Sequence, residues 1–424
     1  MLAGSFLGGA GDRLLPASIP FRYFCAGSLF HIAAWVGLFL GAGDLADFTG
    51  GTGLLLAAIH LLTLGMFAMI AFGAAFQLLP VATRQPLAAT WPARLCFWLL
   101  GGGTLVLSFG MAQTNIFALN FGAALVALAF AVFVILTADN LRRAGALAIV
   151  AAHGWLSLLA LVGFVGLGLA ISLDFEFGFL PNHQALAYLH MMLATFGFMG
   201  VLALGFSLVL VPMFALARAP GNWPGILQLG FAATAIALAT INSQTALPGL
   251  GLATALAAGL SGGIYIWHMW HILRSGMRKR LGLSFVLIRL SWAFLAAALL
   301  VGLMLPFDQP LESAPALFGF LALVGWLLTF LTGILQRIAP FLASMHSTGK
   351  GGLPPLMSDL TPDLPLKLHA AGHNAALILC LAGILWPMPL LVQIGAVSGA
   401  AGAVAYAWFI FSIANRLRRQ PGTS

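Results

Sequence analysis

Charge is what this sequence has least of. Only 7% of its 424 residues are Asp, Glu, Lys or Arg, against about 25% in soluble globular chains. That scarcity excludes a solvated globular domain. With a hydrophobic share of 61% and a mean hydropathy of +1.04, it leaves a polytopic membrane protein. Cysteine is nearly absent: Cys25, Cys96 and Cys380 lie far apart in apolar runs. They fit neither a disulfide framework nor a thiolate metal site, and read as buried small hydrophobes. No Asp, Glu or Lys sits in the middle of an apolar run, so no carboxylate proton channel is visible. A phosphate-binding glycine loop, a CxxCH haem attachment and a Ser/His/Asp setting are also missing. Nothing suggests ATP hydrolysis or a soluble catalytic domain.

What is present is apolar length. A spanning helix needs about 20 apolar residues. Twelve such segments occur near 21–43, 52–81, 93–112, 115–138, 145–172, 184–215, 223–243, 248–273, 283–305, 314–342, 367–387 and 389–415. They are too long and continuous for barrel strands, so the expected fold is an all-α polytopic membrane domain covering 1–424. The first run begins near Phe21 and is too long for a signal-peptide core, so no cleavable leader is expected.

The net charge of +8 raises a nucleic-acid partner, and its distribution argues against one. All 18 Lys and Arg fall at alternate loops or at helix ends beside them. They are Arg13, Arg22, Arg84, Arg94, Arg142, Arg143, Arg218, Arg274, Arg278, Lys279, Arg280, Arg289, Arg337, Lys350, Lys367, Arg416, Arg418 and Arg419. The other loops carry Asp44, Asp47, Asp174, Glu176, Asp308 and Glu312, and no base. This positive-inside pattern predicts cytoplasmic N- and C-termini in a bacterial-type inner membrane. Membrane lipid, through anionic headgroups, is the expected partner.

Residues 60–81 read HLLTLGMFAMIAFGAAFQLLPV, a titratable ring at the head of a run punctuated by two glycines and a proline. The same punctuation recurs twice. The sets are Gly65/Gly73/Pro80, Gly197/Gly205/Pro212 and Gly325/Gly333/Pro340, offset by 132 and 128 residues. With 50 Gly and 21 Pro in the chain, chance yields fewer than one such match. Each offset contains four spans, so the marked helices at 52–81, 184–215 and 314–342 run in one direction. Three four-helix units about a threefold pseudo-axis along the membrane normal follow. Glycines eight apart share nearly one helix face and admit a close neighbour, and the proline ends or kinks each helix.

Twelve spans, cytoplasmic termini and equivalent second, sixth and tenth helices resemble the haem-copper oxidase subunit I superfamily. The stretch from His60 is similar to the second helix of its nitric oxide reductase members. Residues 21–40, FRYFCAGSLFHIAAWVGLFL, and the overall size are more similar to NnrS-type proteins. The resemblance implies three four-helix arcs, b-type haem on His60, copper as a further cofactor, and a redox task tied to nitric oxide stress. The chain also departs from the family. Oxidases take haem ligands from two histidines of the tenth helix, and 314–342 contains none. Phe318 and Phe320 stand where the repeat places His190 and His60. The paired histidines that complete a copper site on the seventh helix are missing too, which leaves only His190 for that role. Proton pumping and a complete haem-copper centre are therefore not expected.

The ten histidines are the remaining candidates, because intramembrane polar residues are costly and imidazole suits haem iron, copper and zinc. His60, His183 and His190 fall in the outer half. His60 and His190 are expected at similar depth, placed to bracket one haem or share a metal. An outer haem lacks Lys or Arg for its propionates. His31 lies near mid-depth, and His153 in the inner half. His369 and His373 are i,i+4, His268 and His271 i,i+3, and each pair shares a helix face suited to one metal. The alternative for every ring is a hydrogen bond between helices. For the WHMWH stretch at 267–271 it is an aromatic interface belt. Arg22, Arg289 and Arg337 meet propionates or a quinone head group, or anchor the topology by snorkelling.

The longest polar stretch is a cytoplasmic loop over 343–366, with His346 in it, and Asp139 and Asn140 read as loop residues. The leading expectation is a membrane haem- or metal-binding protein with an oxidase-like fold, its catalytic status open. The alternatives are a permease for a small solute, haem or metal ion, and a structural subunit of a respiratory complex. A respiratory partner and a homo-oligomer both remain open.

Overall fold

A chain in hydrocarbon must satisfy its backbone within each segment, and helices do so. The computed structural model describes residues 14–145, 147–218, 221–245, 247–278, 280–307, 311–347 and 355–418. Among the described residues there is no strand, and twelve helices are long and apolar enough to cross a membrane. They are α1 (Ser18–Leu40), α2 (Leu54–Thr83), α3 (Trp91–Ala112), α4 (Ile116–Arg142), α5 (Ala148–Phe177) and α6 (His183–Ala215). The second half comprises α7 (Asn222–Gln244), α8 (Leu250–Ser275), α9 (Leu283–Met304), α10 (Ala314–His346), α11 (Asp363–Leu385) and α12 (Pro389–Arg418). Asn115 caps α4 by accepting from the Ala118 N–H at 2.9 Å. Gly178, with a φ of +58°, ends α5 in the left-handed conformation that glycine adopts without strain.

With an even number of spans, α1 begins and α12 ends on one side, the terminal end. Every Lys and Arg among the described residues falls in the half of the bundle at that end. Asp44, Asp47, Asp174, Glu176 and Glu312 mark the far end. Arg13, Lys279, Asp308, Lys350, Arg419 and residues 348–354 lie outside the described residues.

Two sequence expectations are corrected. Asp139 and Asn140 belong to α4. The Asp139 carboxylate pairs with Arg142 and Arg143 at 3.2 and 2.6 Å. Buried Asn140 accepts from the Thr83 hydroxyl at 2.8 Å and donates to the Gln85 carbonyl at 2.8 Å. Partners on the helix flank let both polar residues extend it. The loop expected at 343–366 is also shorter, because α10 continues to His346 and α11 starts at Asp363.

The threefold repeat is visible in the packing. Each marked helix opens its winding into an eight-residue π-helical segment: Leu61–Ala68, Leu193–Gly200 and Leu321–Leu328. These segments stand in the same register as the glycine motif, with the first motif glycine at their fifth position. π segments are rare and concentrate at functional sites. A Cβ on Gly65 would lie 2.5 Å from the Phe30 ring, one on Gly197 2.7 Å from Ala160 Cβ, and one on Gly325 2.9 Å from the Phe294 ring. Phe30, Ala160 and Phe294 belong to α1, α5 and α9, the first helix of each unit. The second glycines repeat the pattern: Gly73 meets Tyr23, Gly205 meets His153, and Gly333 meets Ser284. Each unit then adds a hairpin, α3–α4, α7–α8 or α11–α12, and packing of α12 on α1 closes the ring. The three marked helices lie innermost, with Pro80, Pro212 and Pro340 all buried within them.

The glycine contacts yield a direct test. Gly65→Ala drives a methyl group into the Phe30 ring, and overpacking of this kind costs about 1–3 kcal/mol. Thermal unfolding of the purified protein is expected to shift to lower temperature. Gly102→Ala, whose Cβ meets nothing within 4 Å, is expected to cause no loss.

Candidate functional site

The repeat brings two histidines together. His60 ends the first turns of α2 immediately before its π segment, and His190 lies three residues before the π segment of α6. Their ring centroids are 6.5 Å apart with planes inclined by only 23°. Nδ1 of His60 is 2.9 Å from the Leu56 carbonyl, and Nδ1 of His190 is 2.8 Å from the Phe164 carbonyl. A carbonyl only accepts, so each neutral ring carries its hydrogen on Nδ1 and keeps a lone pair on Nε2. Metal-ligating imidazoles are oriented in this way. Gly168 gives His190 its place, since a Cβ there would sit 3.0 Å from the ring.

Both rings line one cavity of about 850 Å³ that reaches from α1 to α10. No Asp, Glu, Lys or Arg lines it. Neutral polar side chains do line it, among them Thr63 and Thr195 beside the histidines and Thr49, Gln184, Asn242 and Ser243 towards the far end, and Gln184 donates to the Thr49 carbonyl at 2.6 Å. One wall is aromatic: Phe196 stacks on Phe318 at 5.7 Å and on Trp326 at 5.5 Å. Thus α10 presents aromatic rings at the level where α2 and α6 present imidazoles.

The other outer candidate, His183, also lines the mouth. Its Nδ1 is 2.6 Å from the Asp174 carboxylate, which also accepts from the Leu180 N–H at 2.6 Å. His183 therefore clamps the α5–α6 turn.

His153 stands apart. Its Nδ1 lies 2.8 Å from the Ile149 carbonyl and its Nε2 2.6 Å from the Gln228 side-chain oxygen. Gln228 continues to the Ser261 hydroxyl at 3.1 Å. Both ring nitrogens are occupied in a link from α5 through α7 to α8. His268 is buried and His271 exposed. Both meet Trp267, with centroids 6.3 and 4.9 Å away.

A second histidine cluster forms where the ring of helices closes. His31 of α1 lies 6.2 Å from His369 of α11, and His369 lies 5.6 Å from His373. Tyr406 of α12 packs against His369 at 4.7 Å. Trp35 donates to His31 Nε2 at 3.0 Å, His369 Nδ1 meets the Gly402 carbonyl at 3.2 Å, and His373 Nε2 meets the Thr329 hydroxyl at 2.7 Å. All three rings are buried. Among the described residues, no three His, Cys, Asp or Glu side chains are converged to hold one metal ion.

Sequence reasoning placed His60 beside His190 through the repeat. It missed the union of His31 with His369 and His373, which depends on α12 closing against α1. It also missed the orienting carbonyls and the π segments, of which only the glycine spacing is a sequence signal. Two of the three inner arginine candidates have local partners. Arg22 donates to the Ser18 carbonyl at 3.0 Å, and Arg337 donates to the Ser284 hydroxyl at 2.7 Å and to the Leu281 carbonyl.

Fold and interior together define a polytopic α-helical membrane protein with a histidine-lined cavity. No protein-family model matches the sequence, and no curated protein matches it.

The contrast between occupied and free rings can be measured. His153→Ala removes the partner of the buried Gln228 side-chain oxygen, a loss of about 1–3 kcal/mol. The variant is expected to melt earlier than the parent while its content of bound cofactor and metal stays the same.

Proposed function

We propose that this is a membrane haem- or metal-binding protein in which His60 and His190 would hold one b-type haem. The observation that carries this reading is a pair of near-parallel imidazoles 6.5 Å apart, each hydrogen-bonded at Nδ1 to a backbone carbonyl. Two Nε2 ligands at about 2.0–2.1 Å from one ion put their ring centroids roughly 6 Å apart. The adjoining cavity of about 850 Å³ favours a haem over a bare ion and lies within the usual range of roughly 300–1,000 Å³ for ligand sites. Copper shared by the same two rings is the smaller alternative. With no base in its lining, the cavity would leave the propionates of a haem to neutral polar groups such as Thr49, Gln184, Asn242 and Ser243.

A haem so bound supplies one-electron chemistry. The chain's own residues do the positioning. The Leu56 and Phe164 carbonyls hold the ligand tautomers, Gly168 admits the His190 ring, and Phe196, Phe318 and Trp326 keep one wall dry. A haem held by both imidazoles would be suited to electron transfer rather than to catalysis at the iron. The resemblance to oxidase and NnrS-type proteins extends this to a task in nitric oxide stress. The confinement of basic residues to the terminal end supports cytoplasmic termini in a bacterial-type inner membrane.

The test is the reduced-minus-oxidised absorption spectrum of the full-length protein purified from haem-replete cells, with metal analysis of the same sample. A sharp α band of a bis-imidazole haem is expected. His60→Ala and His190→Ala are each expected to abolish that band, and the double variant to lose haem. A haem spectrum unchanged in both single variants, or a protein with neither haem nor metal, overturns the reading.

A further inference from the structure

Three ring nitrogens in the second cluster have no hydrogen-bond partner among protein atoms: Nδ1 of His31, Nε2 of His369 and Nδ1 of His373. The rings are no more than 1% exposed, and an orphaned polar group at such depth is costly. Their other nitrogens fix what each one offers. The Gly402 carbonyl only accepts, so His369 offers a lone pair at Nε2. The Thr329 hydroxyl spends its hydrogen on the Val324 carbonyl at 3.0 Å. It therefore accepts from His373, which offers a lone pair at Nδ1. Trp35 only donates, so His31 accepts at Nε2 and offers an N–H at Nδ1. The cluster thus presents two lone pairs and one donor.

We propose that His369 and His373 bind one soft monovalent cation of the Cu(I) class, leaving the His31 N–H to bond a small ligand carried by that ion. Donor chemistry makes the selection. Calcium and magnesium require oxygen ligands, and zinc sites use three or four protein ligands. Two neutral imidazoles suit copper. A divalent ion here would have no buried carboxylate to offset it, and the cost of burying charge rises steeply with its magnitude. The approach also favours a cation. Among the described residues the far end carries acids and no base, a field that concentrates cations. The large cavity has Trp35 and Leu328 in its wall. Trp35 donates to His31 and Leu328 adjoins Thr329, so the cavity lining reaches residues that border the cluster. This site is distinct from the His60–His190 pair and does not depend on the haem reading.

The test is anaerobic Cu(I) titration of the full-length protein in detergent against a chromophoric chelator, followed by X-ray absorption at the copper edge. One tightly held ion per chain and a shell of nitrogen ligands are expected. His369→Ala and His373→Ala should each weaken binding by more than tenfold, while exposed His271→Ala leaves it unchanged. His31→Phe should keep the ion and alter its outer coordination. Thermal melts identify any variant that fails to fold, and the wild-type absorption spectrum decides the matter independently of variants. No competition with the chelator, or a copper shell without imidazole signature, overturns the proposal and leaves the cluster as a hydrogen-bonded pocket around water.

Discussion

Among the described residues no Asp, Glu, Lys or Arg is buried, so a buried polar group depends on neutral partners along neighbouring helices, and some, the Gln77 and Gln336 amides among them, have none among protein atoms. An unpaired polar group in such surroundings is far more costly than in water. A neutral imidazole makes the demand twice, with one N–H and one lone pair. Both nitrogens of His153 lie within hydrogen-bond distance of a partner, the Ile149 carbonyl and the Gln228 side chain. His60 and His190 each place the N–H on a backbone carbonyl. The closing cluster leaves one nitrogen of each ring over. Sequence gives all these histidines the same apolar setting, and hydrogen-bond accounting separates them by role.

The same constraint explains the glycines. Apolar side chains gain little by leaving lipid for one another, so helix association depends on close packing. Gly65, Gly197 and Gly325 let α1, α5 and α9 approach at one level, and Gly73, Gly205 and Gly333 repeat the contact two turns on. Gly205 meets His153, so a packing device also seats a polar link.

Spans, their number and the threefold repeat were legible because apolar length and glycine spacing are local properties. The ends were less so. Asp174 and Glu176 interrupt the apolar run, yet α5 continues to Phe177, since the Asp174 carboxylate is met by the Leu180 N–H and the His183 ring and Glu176 accepts from Asn120. Lys367 and Asp363 likewise sit in the first turns of α11, 3.9 Å apart. The meeting of His60 with His190 was readable only as equal depth on equivalent helices. His31 could not be joined to His369 and His373 in advance, because no sequence signal records that the last helix closes on the first. The tautomers depend on the Leu56, Phe164 and Gly402 carbonyls, and a carbonyl carries no residue signature.

The broken symmetry at α10 bears most on chemistry. All three inner helices share the π segment and the glycine register, so backbone geometry offers three comparable positions around the axis. Only α2 and α6 place imidazoles there. At the counterparts on α10 stand Phe318 and Phe320, both buried, and Phe318 stacks against Phe196. Replacing a potential ligand by an aromatic stack closes one side of the cavity with apolar surface while leaving the opposite side able to ligate. A bound group would then meet nitrogen donors on two helices and a dry wall on the third. That arrangement would hold one bound group and limit access to it, and without a ligating residue on the third helix it offers no site for a second beside it.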